Sequence, residues 1–352
     1  MAVTIRDVAK AAGVSASTVS RALSLPDIVD PATRDRVMRV ADHLGYRPNR
    51  AARGLTTGRT GNIGLILPDL ANPFFPSVVK GIQHAAHEAD YQVFVVDTDE
   101  DASVELGLVR ALAKQVDGIV LCSPRMRPAE LREAASYVPV VLVNRKAGTI
   151  PSVSVDNAGG MRMVVEHLAG LGHAHIGYAA GPRTSWSNRE RLRALQAAAG
   201  EQGVRLVELG NFAPTFEGGL DAADGVLIAG VSAVVGYNDL VALGILSGLQ
   251  ARGVDVPGQV SVVGTDNIPM SSMVQPALTT LDVPKGAAGR ASIELLLHLL
   301  TEEAPRTKPL RELPTELLVR HTTAAANTAA TTAAATTTNP TTPSGRSRTA
   351  RR

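Results

Sequence analysis

Residues 4–23 have the sequence TIRDVAKAAGVSASTVSRAL, which predicts two short helices joined by a tight turn. Thr4 is suited to cap the first helix, with Asp7 three residues later as a weaker form of the capping box. Gly13 suits the backbone reversal that ends this helix, and Ser15 can cap the second one. The pattern is that of a helix-turn-helix; an ordinary helical hairpin is the alternative interpretation.

Apolar residues recur at spacings of three and four in both helices, which predicts that each helix buries one face. The inward-facing set is Ile5, Val8, Ala9 and Ala12 in the first helix, and Val19, Ala22 and Leu23 in the second. The outer face of the second helix is expected to carry Ala16, Ser17, Ser20 and Arg21. Small and polar side chains at the start of an exposed helix allow close approach to a DNA groove.

A third helix is predicted after this hairpin. Asp30 as a cap, followed by Pro31 at the first helical position, is a strong start signal, and Gly45 ends the helix after Leu44. Three helices around one small core complete a predicted domain of residues 1–46, close to the lower size limit for independent folding.

Residues 47–60, RPNRAARGLTTGRT, form a basic connection that has four arginines and no acidic residue. Asn49 can cap one helical turn, but so short a segment with Gly54 inside it does not form a stable helix in water. One interpretation is a flexible linker. The other is a segment that becomes helical only when a phosphate backbone neutralises its arginines.

Charge is distributed unevenly along the 352 residues, whose formal net charge is +2. Residues 1–60 carry ten Lys or Arg and five Asp or Glu, and residues 321–352 carry four Arg and no acid, so the part between them is net acidic. A basic N-terminal part on an acidic body indicates that this part, rather than the whole protein, meets a polyanion. Cys122 is the only cysteine, which excludes an intrachain disulfide, and its apolar surroundings predict a buried thiol. No apolar signal core or membrane-length apolar stretch occurs, so a cytoplasmic protein is expected.

From residue 63 onward, short apolar runs alternate with helix-period stretches. Strands are predicted at 63–67, 91–96, 118–122, 140–144, 175–180, 204–209, 233–238 and 260–265. Continuous apolar strands separated by helices predict parallel sheets covered on both faces, arranged as two doubly wound halves. A single eight-stranded barrel is the competing arrangement. From Thr322 the composition is dominated by Ala, Thr and Pro, which predicts a disordered tail over residues 322–352, with auxiliary nucleic-acid contact through its arginines as a minor alternative.

These segments resemble the lactose-repressor (LacI/GalR) family of bacterial transcription regulators, in order and in spacing, up to residue 321. The matching motifs include the opening stretch, PNRAARGL, NIGLILPDLANPFF, EHLAGLGHAHIGYAAGP, YNDLVALG, VSVVGTDN and PALTTL. The resemblance implies an N-terminal three-helix helix-turn-helix domain, a hinge over 47–60, and an α/β body like that of periplasmic sugar-binding proteins over 61–321. Two doubly wound parallel-sheet subdomains are expected, the first at 61–156 and 284–312 and the second at 157–283 and 313–321.

For DNA binding, the resemblance implies that the second helix lies in the major groove. Base-reading positions are Ala16, Ser17 and Arg21, and Arg21 is the strongest candidate because a guanidinium can hold guanine O6 and N7 together. Further DNA contacts are expected from Thr4, Ser15, Thr18 and Ser20, of which Thr18 and Ser20 suit phosphates. In the hinge, Leu55 matches the family's intercalating leucine. The remaining hinge contacts are Asn49, Arg50, Ala52 and Arg53.

For the effector, the resemblance implies a cleft beyond the carboxyl ends of the strands. The matching positions are Asn72, Phe74, Asn144, Arg191, Asn238 and Asp266. Phe75 and Trp186 are further candidates because their rings could stack on a ligand. Amides, a carboxylate and a guanidinium suit hydroxyl recognition, and an aromatic ring can cover the apolar face of a sugar. Core packing for Phe74 and Phe75, and a surface loop for Trp186, are the alternatives.

Other classes of function are weaker interpretations. No GxSxG or GxxxxGK motif occurs, so neither an enzyme nor a cofactor is expected. His173 and His175 lack further ligands nearby, and a helix-to-strand turn explains them better than a metal site. A sugar-binding protein without a gene-regulatory role is the main rival. A homodimer on an approximately palindromic operator is implied by the family, and the leucine-free tail offers no seam for a tetramer.

Overall fold

The computed structural model describes residues 3–24, 28–46, 59–301 and 310–327. Its N-terminal part consists of α1 (Ile5–Ala12), α2 (Ala16–Ser24) and α3 (Pro31–His43). Val8, Val19 and Val37 are fully buried at the centre of these helices, and Gly13 adopts a left-handed φ of 66° in the turn. The carboxylate of Asp30 accepts the Thr33 N–H at 3.0 Å and starts α3. The predicted helix-turn-helix domain is confirmed.

The described residues of the body form two six-stranded sheets. The first sheet consists of β1 (Asn62–Leu67), β2 (Gln92–Asp97), β3 (Gly118–Cys122), β4 (Val140–Val143), β5 (Ser152–Val155) and β11 (Leu310–Leu313), all parallel, in the order β11-β5-β4-β3-β1-β2. The second sheet consists of β6 (His175–Ala180), β7 (Arg205–Asn211), β8 (Ala233–Gly236), β9 (Ser261–Asp266), β10 (Thr279–Asp282) and β12 (Glu316–Leu318), in the order β12-β10-β9-β8-β6-β7. Only β12 is antiparallel to its neighbour among the described strands of this sheet.

Helices cover both faces of each sheet. The first sheet packs against α4 (Phe74–Glu88), α5 (Ala102–Leu112), α6 (Pro128–Tyr137) and α11 (Lys285–Thr301). The second sheet packs against α7 (Asn157–Gly170), α8 (Trp186–Gln202), α9 (Phe216–Ala229) and α10 (Asp239–Ala251). Burial on both faces explains why the central strands have continuous apolar sequences. The predicted pair of doubly wound parallel-sheet subdomains is confirmed, and the single barrel is wrong. No helix in the described part of the chain is long and apolar enough to cross a bilayer.

Four strands were not predicted, namely β5, β10, β11 and β12. Each has four residues or fewer, and none contains the continuous apolar run by which the other eight are recognised. They lie where the chain crosses between the two subdomains, after β5, after β10 and between β11 and β12. Leu313 pairs with Val155 in the first sheet, although the predicted boundary assigned residue 313 to the second subdomain.

The segment 322–327 is packed against the second subdomain, so the prediction that a disordered tail begins at residue 322 is wrong for these residues. Thr322 is fully buried, and its hydroxyl donates to the Val262 carbonyl at 2.6 Å and accepts the Thr279 N–H at 2.8 Å. The Ala326 N–H donates to the Leu171 carbonyl at 2.8 Å. Amino-acid composition does not predict this order, because the segment is held by backbone and hydroxyl hydrogen bonds and not by buried apolar area. The rest of the predicted tail lies outside the described residues.

Candidate functional site

Half of the residues predicted to contact DNA lie on α2 or directly before it. Ser17 and Arg21 are exposed, whereas Thr18 and Ser20 are half-buried. Ala16 is half-buried and packs against the domain core, so its predicted place on the outer face is wrong in part. Its side chain is a single methyl group at the first helical position, close enough to the turn to reach that core.

Hydroxyl groups at this helix start are already organised by one another. Ser15 accepts the Thr18 N–H at 3.1 Å, as a helix cap, and its hydroxyl lies 2.7 Å from that of Ser17 and 2.8 Å from that of Thr18. At the start of α1, the exposed Thr4 donates its N–H and hydroxyl to Asp7 at 2.8 and 2.7 Å. These hydrogen bonds from Thr4 lower the pKa of Asp7.

The predicted hinge contacts Asn49, Arg50, Ala52, Arg53 and Leu55 lie outside the described residues. The point where the hinge enters the body is well defined. Asp117, directly before β3, accepts the N–H and the hydroxyl of Thr60 at 2.6 and 2.9 Å and the N–H of Gly61 at 2.9 Å. The guanidinium of Arg59 donates to the carbonyl of Leu300, at the end of α11. The first subdomain therefore holds the last two residues of the predicted hinge by hydrogen bonds.

A cleft lies between the carboxyl ends of the two sheets, where the topology of doubly wound folds places ligands. The structure brings seven of the eight predicted effector residues to its lining: Asn72, Phe74, Phe75, Asn144, Arg191, Asn238 and Asp266. Sequence reasoning missed five others: Glu100, Ser123, Arg125, Pro214 and Tyr237. The free volume between the walls is only about 20 Å³, room for about one water molecule. A sugar therefore requires the two subdomains to separate or the lining side chains to move.

The second-subdomain wall is built around the buried guanidinium of Arg191. Its Nη1 donates to the Tyr237 carbonyl at 2.5 Å, its Nε to Asn157 Oδ1 at 3.2 Å, and its Nη2 lies 3.5 Å from Asp266 Oδ1. The same guanidinium sits 5.3 Å from the centre of the Tyr237 ring. Burial, together with the neighbouring carboxylate of Asp239, raises the pKa of Asp266 to about 7 against the attraction of Arg191. The wall thus holds a carboxyl group that titrates near neutral pH.

The first-subdomain wall contains a buried ion pair and a buried amide. Arg125 donates to both carboxylate oxygens of Glu100, from Nε at 2.8 Å and from Nη2 at 2.7 Å. The side-chain nitrogen of Asn144 donates to the Ser123 hydroxyl at 3.0 Å, whereas its Oδ1 is buried and has no hydrogen-bond partner among the described residues. Ser187, on α8 of the second subdomain, donates to the backbone carbonyl of Asn144 at 3.2 Å and so bridges the two walls.

Four cleft residues at the starts of α4 and α10 also make contacts within the fold. Asn72 accepts the Phe74 N–H through Oδ1 at 3.0 Å, and the Phe74 and Phe75 rings meet edge to face at 5.0 Å. Both rings belong to the core of the first subdomain as well as to the cleft. Asn238 caps α10 by accepting the Val241 N–H at 2.9 Å. These residues shape the cleft, and part of their polar capacity is already used.

Backbone strain is concentrated at this edge of the sheets. Seven described non-glycine residues have a positive φ, and six of them lie at or just after the carboxyl ends of strands: Asp99, Glu100, Ser123, Asn144, Asp266 and Asn267. Left-handed φ values at non-glycine residues cost about 1–3 kcal/mol each and occur preferentially at binding sites. The strain marks Glu100 and Ser123 as members of the site, a signal that the sequence does not show.

Trp186 does not lie in the cleft. It lines a separate cavity of about 410 Å³ beside the crossover segments, together with Lys146, Asn157 and Glu312. Trp186 begins α8 five residues before Arg191, which places the two side chains about 140° apart around the helix axis. Both cannot face the cleft, and the prediction that Trp186 contributes to it is wrong.

Cys122 and His173 have structural roles, since the thiol is buried and the imidazole ring is hydrogen-bonded. Cys122 is buried, and burial raises the pKa of its thiol to about 12. The His173 ring lies 2.9 Å from the Ser232 hydroxyl, 3.0 Å from the Ser261 hydroxyl and 3.1 Å from the Ala324 carbonyl. Within the described ranges no three His, Cys, Asp or Glu side chains are grouped as metal ligands would be.

A helix-turn-helix followed by a cleft between two parallel-sheet subdomains defines the class of ligand-responsive DNA-binding regulators. The family described as bacterial regulatory proteins, lacI family, matches residues 4–49, and the periplasmic binding protein-like domain matches residues 165–323. Catabolite control protein A from Priestia megaterium is 33% identical over 334 residues, covering 92% of this chain and all of that protein. The chain belongs to the LacI family of transcription regulators.

Solved structures agree with this assignment. The lac repressor dimer bound to operator and the anti-inducer ONPF has a TM-score of 0.82 at 29% identity, covering 92% of this chain and 100% of that one. The complex of the transcriptional regulator CelR with cellobiose has a TM-score of 0.68 at 32% identity, covering 91% and 99%.

Proposed function

We propose that this protein is a cytoplasmic transcriptional repressor that binds an approximately palindromic operator as a homodimer, with an affinity controlled by a small sugar-like effector. The observation that carries the proposal is the presence in one chain of an exposed Arg21 on α2 and of a cleft whose buried polar groups face each other across two subdomains. Such a regulator acts by binding alone, without a catalytic step or a cofactor.

Sequence selectivity is assigned mainly to Arg21, because a bidentate contact to guanine is worth about 1–3 kcal/mol of discrimination. The base-facing set around it is short, since Ala16 is half-buried and the Ser17 hydroxyl is engaged with Ser15. Tight binding therefore requires a second copy in the dimer and the basic hinge, with Leu55 as a wedge between base steps. Residues 1–46 alone should bind the operator only weakly.

Control by an effector follows from the position of the cleft. A ligand between the walls changes the angle between the subdomains, and Asp117 fixes the end of the hinge to the first of them. In a dimer this movement alters the separation of the two hinges and hence whether both can fold into the minor groove. Release of the operator by the effector is the direction we propose.

A DNA selection from a randomised library, followed by gel shifts at fixed salt, tests the proposal. Wild type should bind a selected palindrome, and a bound sugar such as cellobiose, glucose or ribose should weaken that binding. Arg21→Ala should lower the preference for the selected site over random DNA about 5- to 150-fold. Arg39→Ala is the matched control, because it removes an exposed arginine from α3 of the same domain. Complete absence of sequence-selective binding would favour a sugar-binding protein without a gene-regulatory role.

A further inference from the structure

Each of the two cleft arginines donates to the protein from all three guanidinium nitrogens and so uses three of its five N–H groups. Arg191 uses all three guanidinium nitrogens on Asn157, Tyr237 and Asp266. Arg125, with only 3% of its side chain exposed, likewise uses Nε and Nη2 on Glu100. Its Nη1 donates to the backbone carbonyl of Ser123 at 3.2 Å. Arg125 is therefore paired with a carboxylate before any ligand enters, whereas Arg191 donates mainly to two neutral oxygens and meets Asp266 only at 3.5 Å.

Acceptors of the same cleft are not used to capacity. Each oxygen of Glu100 accepts one hydrogen bond from Arg125, although a carboxylate oxygen can accept two. Glu100 is the more accessible partner of the pair, with 25% of its side chain exposed. Asn144 Oδ1 is buried and accepts no hydrogen bond from the part of the chain that the structure describes, and Asp266 accepts through Oδ1 at a distance of 3.5 Å. The unused capacity of the lining is that of an acceptor-rich site.

Glu100 is held in this position by its surroundings. Its backbone has a φ of 58°, a strained value for a side-chain-bearing residue. The loop that carries Arg125 is fixed by the buried carboxylate of Glu105, which accepts the Arg125 N–H at 2.9 Å and the Met126 N–H at 2.9 Å. Two carboxylates thus flank Arg125: the buried Glu105 anchors its backbone, and the partly exposed Glu100 faces the cleft.

We infer that the cleft selects a neutral, hydroxyl-rich ligand and rejects its phosphorylated or carboxylated form, and that Glu100 is the residue that makes this distinction. Hydroxyl hydrogens satisfy Glu100, Asp266 and Asn144 Oδ1. An anionic group would instead meet the partly exposed Glu100 carboxylate, which already neutralises the buried Arg125, and its desolvation would not be compensated. The inference rests on the proposed function, because it concerns the effector site of that regulator.

The test is a thermal-shift and calorimetric titration of the full-length protein with matched pairs: ribose and ribose 5-phosphate, glucose and glucose 6-phosphate, cellobiose and cellobionic acid. A neutral member should bind and raise Tm, and its anionic counterpart should bind at least about tenfold more weakly. In Glu100→Gln, affinity for the neutral member should fall about tenfold, because a charge-assisted hydrogen bond becomes a neutral one. Affinity for the anionic member should rise, because Arg125 loses its counter-charge.

Two further variants distinguish a change in the cleft from unfolding and from the loss of any surface carboxylate. Glu100→Gln leaves a buried arginine unpaired, so the double variant Glu100→Gln/Arg125→Met guards against unfolding. It should bind the neutral sugar weakly and show no gain for the anionic one. Glu88→Gln is the matched control, because Glu88 also accepts two bonds from one arginine, Arg290, at 2.7 and 3.3 Å but on the surface. It should change neither affinity.

Three results overturn the inference: an anionic member that binds wild type as tightly as its neutral counterpart, unchanged discrimination in Glu100→Gln, or no binding by any compound of the panel. Operator binding without ligand is measured on the same preparation and reports on the proposed function separately. A protein that binds its operator but prefers a phosphorylated sugar overturns this inference and leaves the proposed function standing.

Discussion

The carboxyl group of Asp266 offers a direct test of how the cleft is built. It is buried at the end of β9, beside Asp239, and its pKa is raised by burial from 3.8 to about 7. Replacing it with asparagine keeps the shape and removes the ionisable group. Because Arg191 keeps its bonds to Tyr237 and Asn157, the wall retains most of its contacts.

The magnitude follows from linkage. A carboxyl whose folded pKa is raised contributes stability that is fully present below pH 3.8 and is lost as the pH rises through about 7. Each unit of difference between the pKa in the folded state and the pKa in the unfolded state changes the free energy of unfolding by about 1.4 kcal/mol. Between pH 5 and pH 8 the free energy of unfolding of wild type should therefore fall by roughly 2–3 kcal/mol more than that of the Asp266→Asn variant.

Thermal unfolding of both proteins at pH 5 and pH 8 measures this difference, and comparing variant with wild type at each pH cancels the other titrating groups. For a subdomain of this size, the Tm advantage of Asp266→Asn should grow by roughly 5–10 °C from pH 5 to pH 8. Equal Tm differences at the two pH values would refute the reasoning. A variant whose Tm falls relative to wild type at pH 8 would mean that the contact of Asp266 with Arg191 stabilises the fold more than burial of the charged carboxylate destabilises it.

Other outcomes follow from packing and from the hinge. Gly244→Ala should destabilise the second subdomain by about 1–3 kcal/mol in thermal scans, because its Cβ would collide with the Phe216 carbonyl oxygen. Gly107→Ala should instead raise the stability of the first subdomain by about 1 kcal/mol, because the added Cβ would meet no described atom within 4 Å. Asp117→Ala should lower operator affinity while sugar-induced Tm shifts persist, and loss of both would indicate general unfolding. Leu55→Ala should strongly lower operator affinity in a gel-shift titration with sugar binding intact; unchanged operator affinity would reject the wedge. Sedimentation at micromolar concentration should give a dimer, and a tetramer would contradict the tail argument.

The sequence predicted the strands that are buried on both faces, because burial requires continuous apolar runs such as GIVLC of β3. It did not predict the ion pair of the cleft. Glu100 and Arg125 stand in polar segments that have the composition of surface loops, and their burial depends on tertiary contacts between loops that follow different strands. Trp186 shows the opposite error, since proximity to Arg191 in the chain is not proximity around a helix.

β3 links the two ends of the proposed allosteric path. Asp117, directly before this strand, holds the chain as it leaves the hinge, and Ser123 and Arg125, directly after it, belong to the cleft wall. The strand has five residues, all buried, and spans about 17 Å. A buried strand between two hydrogen-bonded neighbours has no room to deform, because protein interiors are close-packed. We therefore expect a ligand to move hinge and cleft wall together as one rigid body, so that mutations within β3 alter stability, whereas those at Asp117 alter the coupling between sugar and operator.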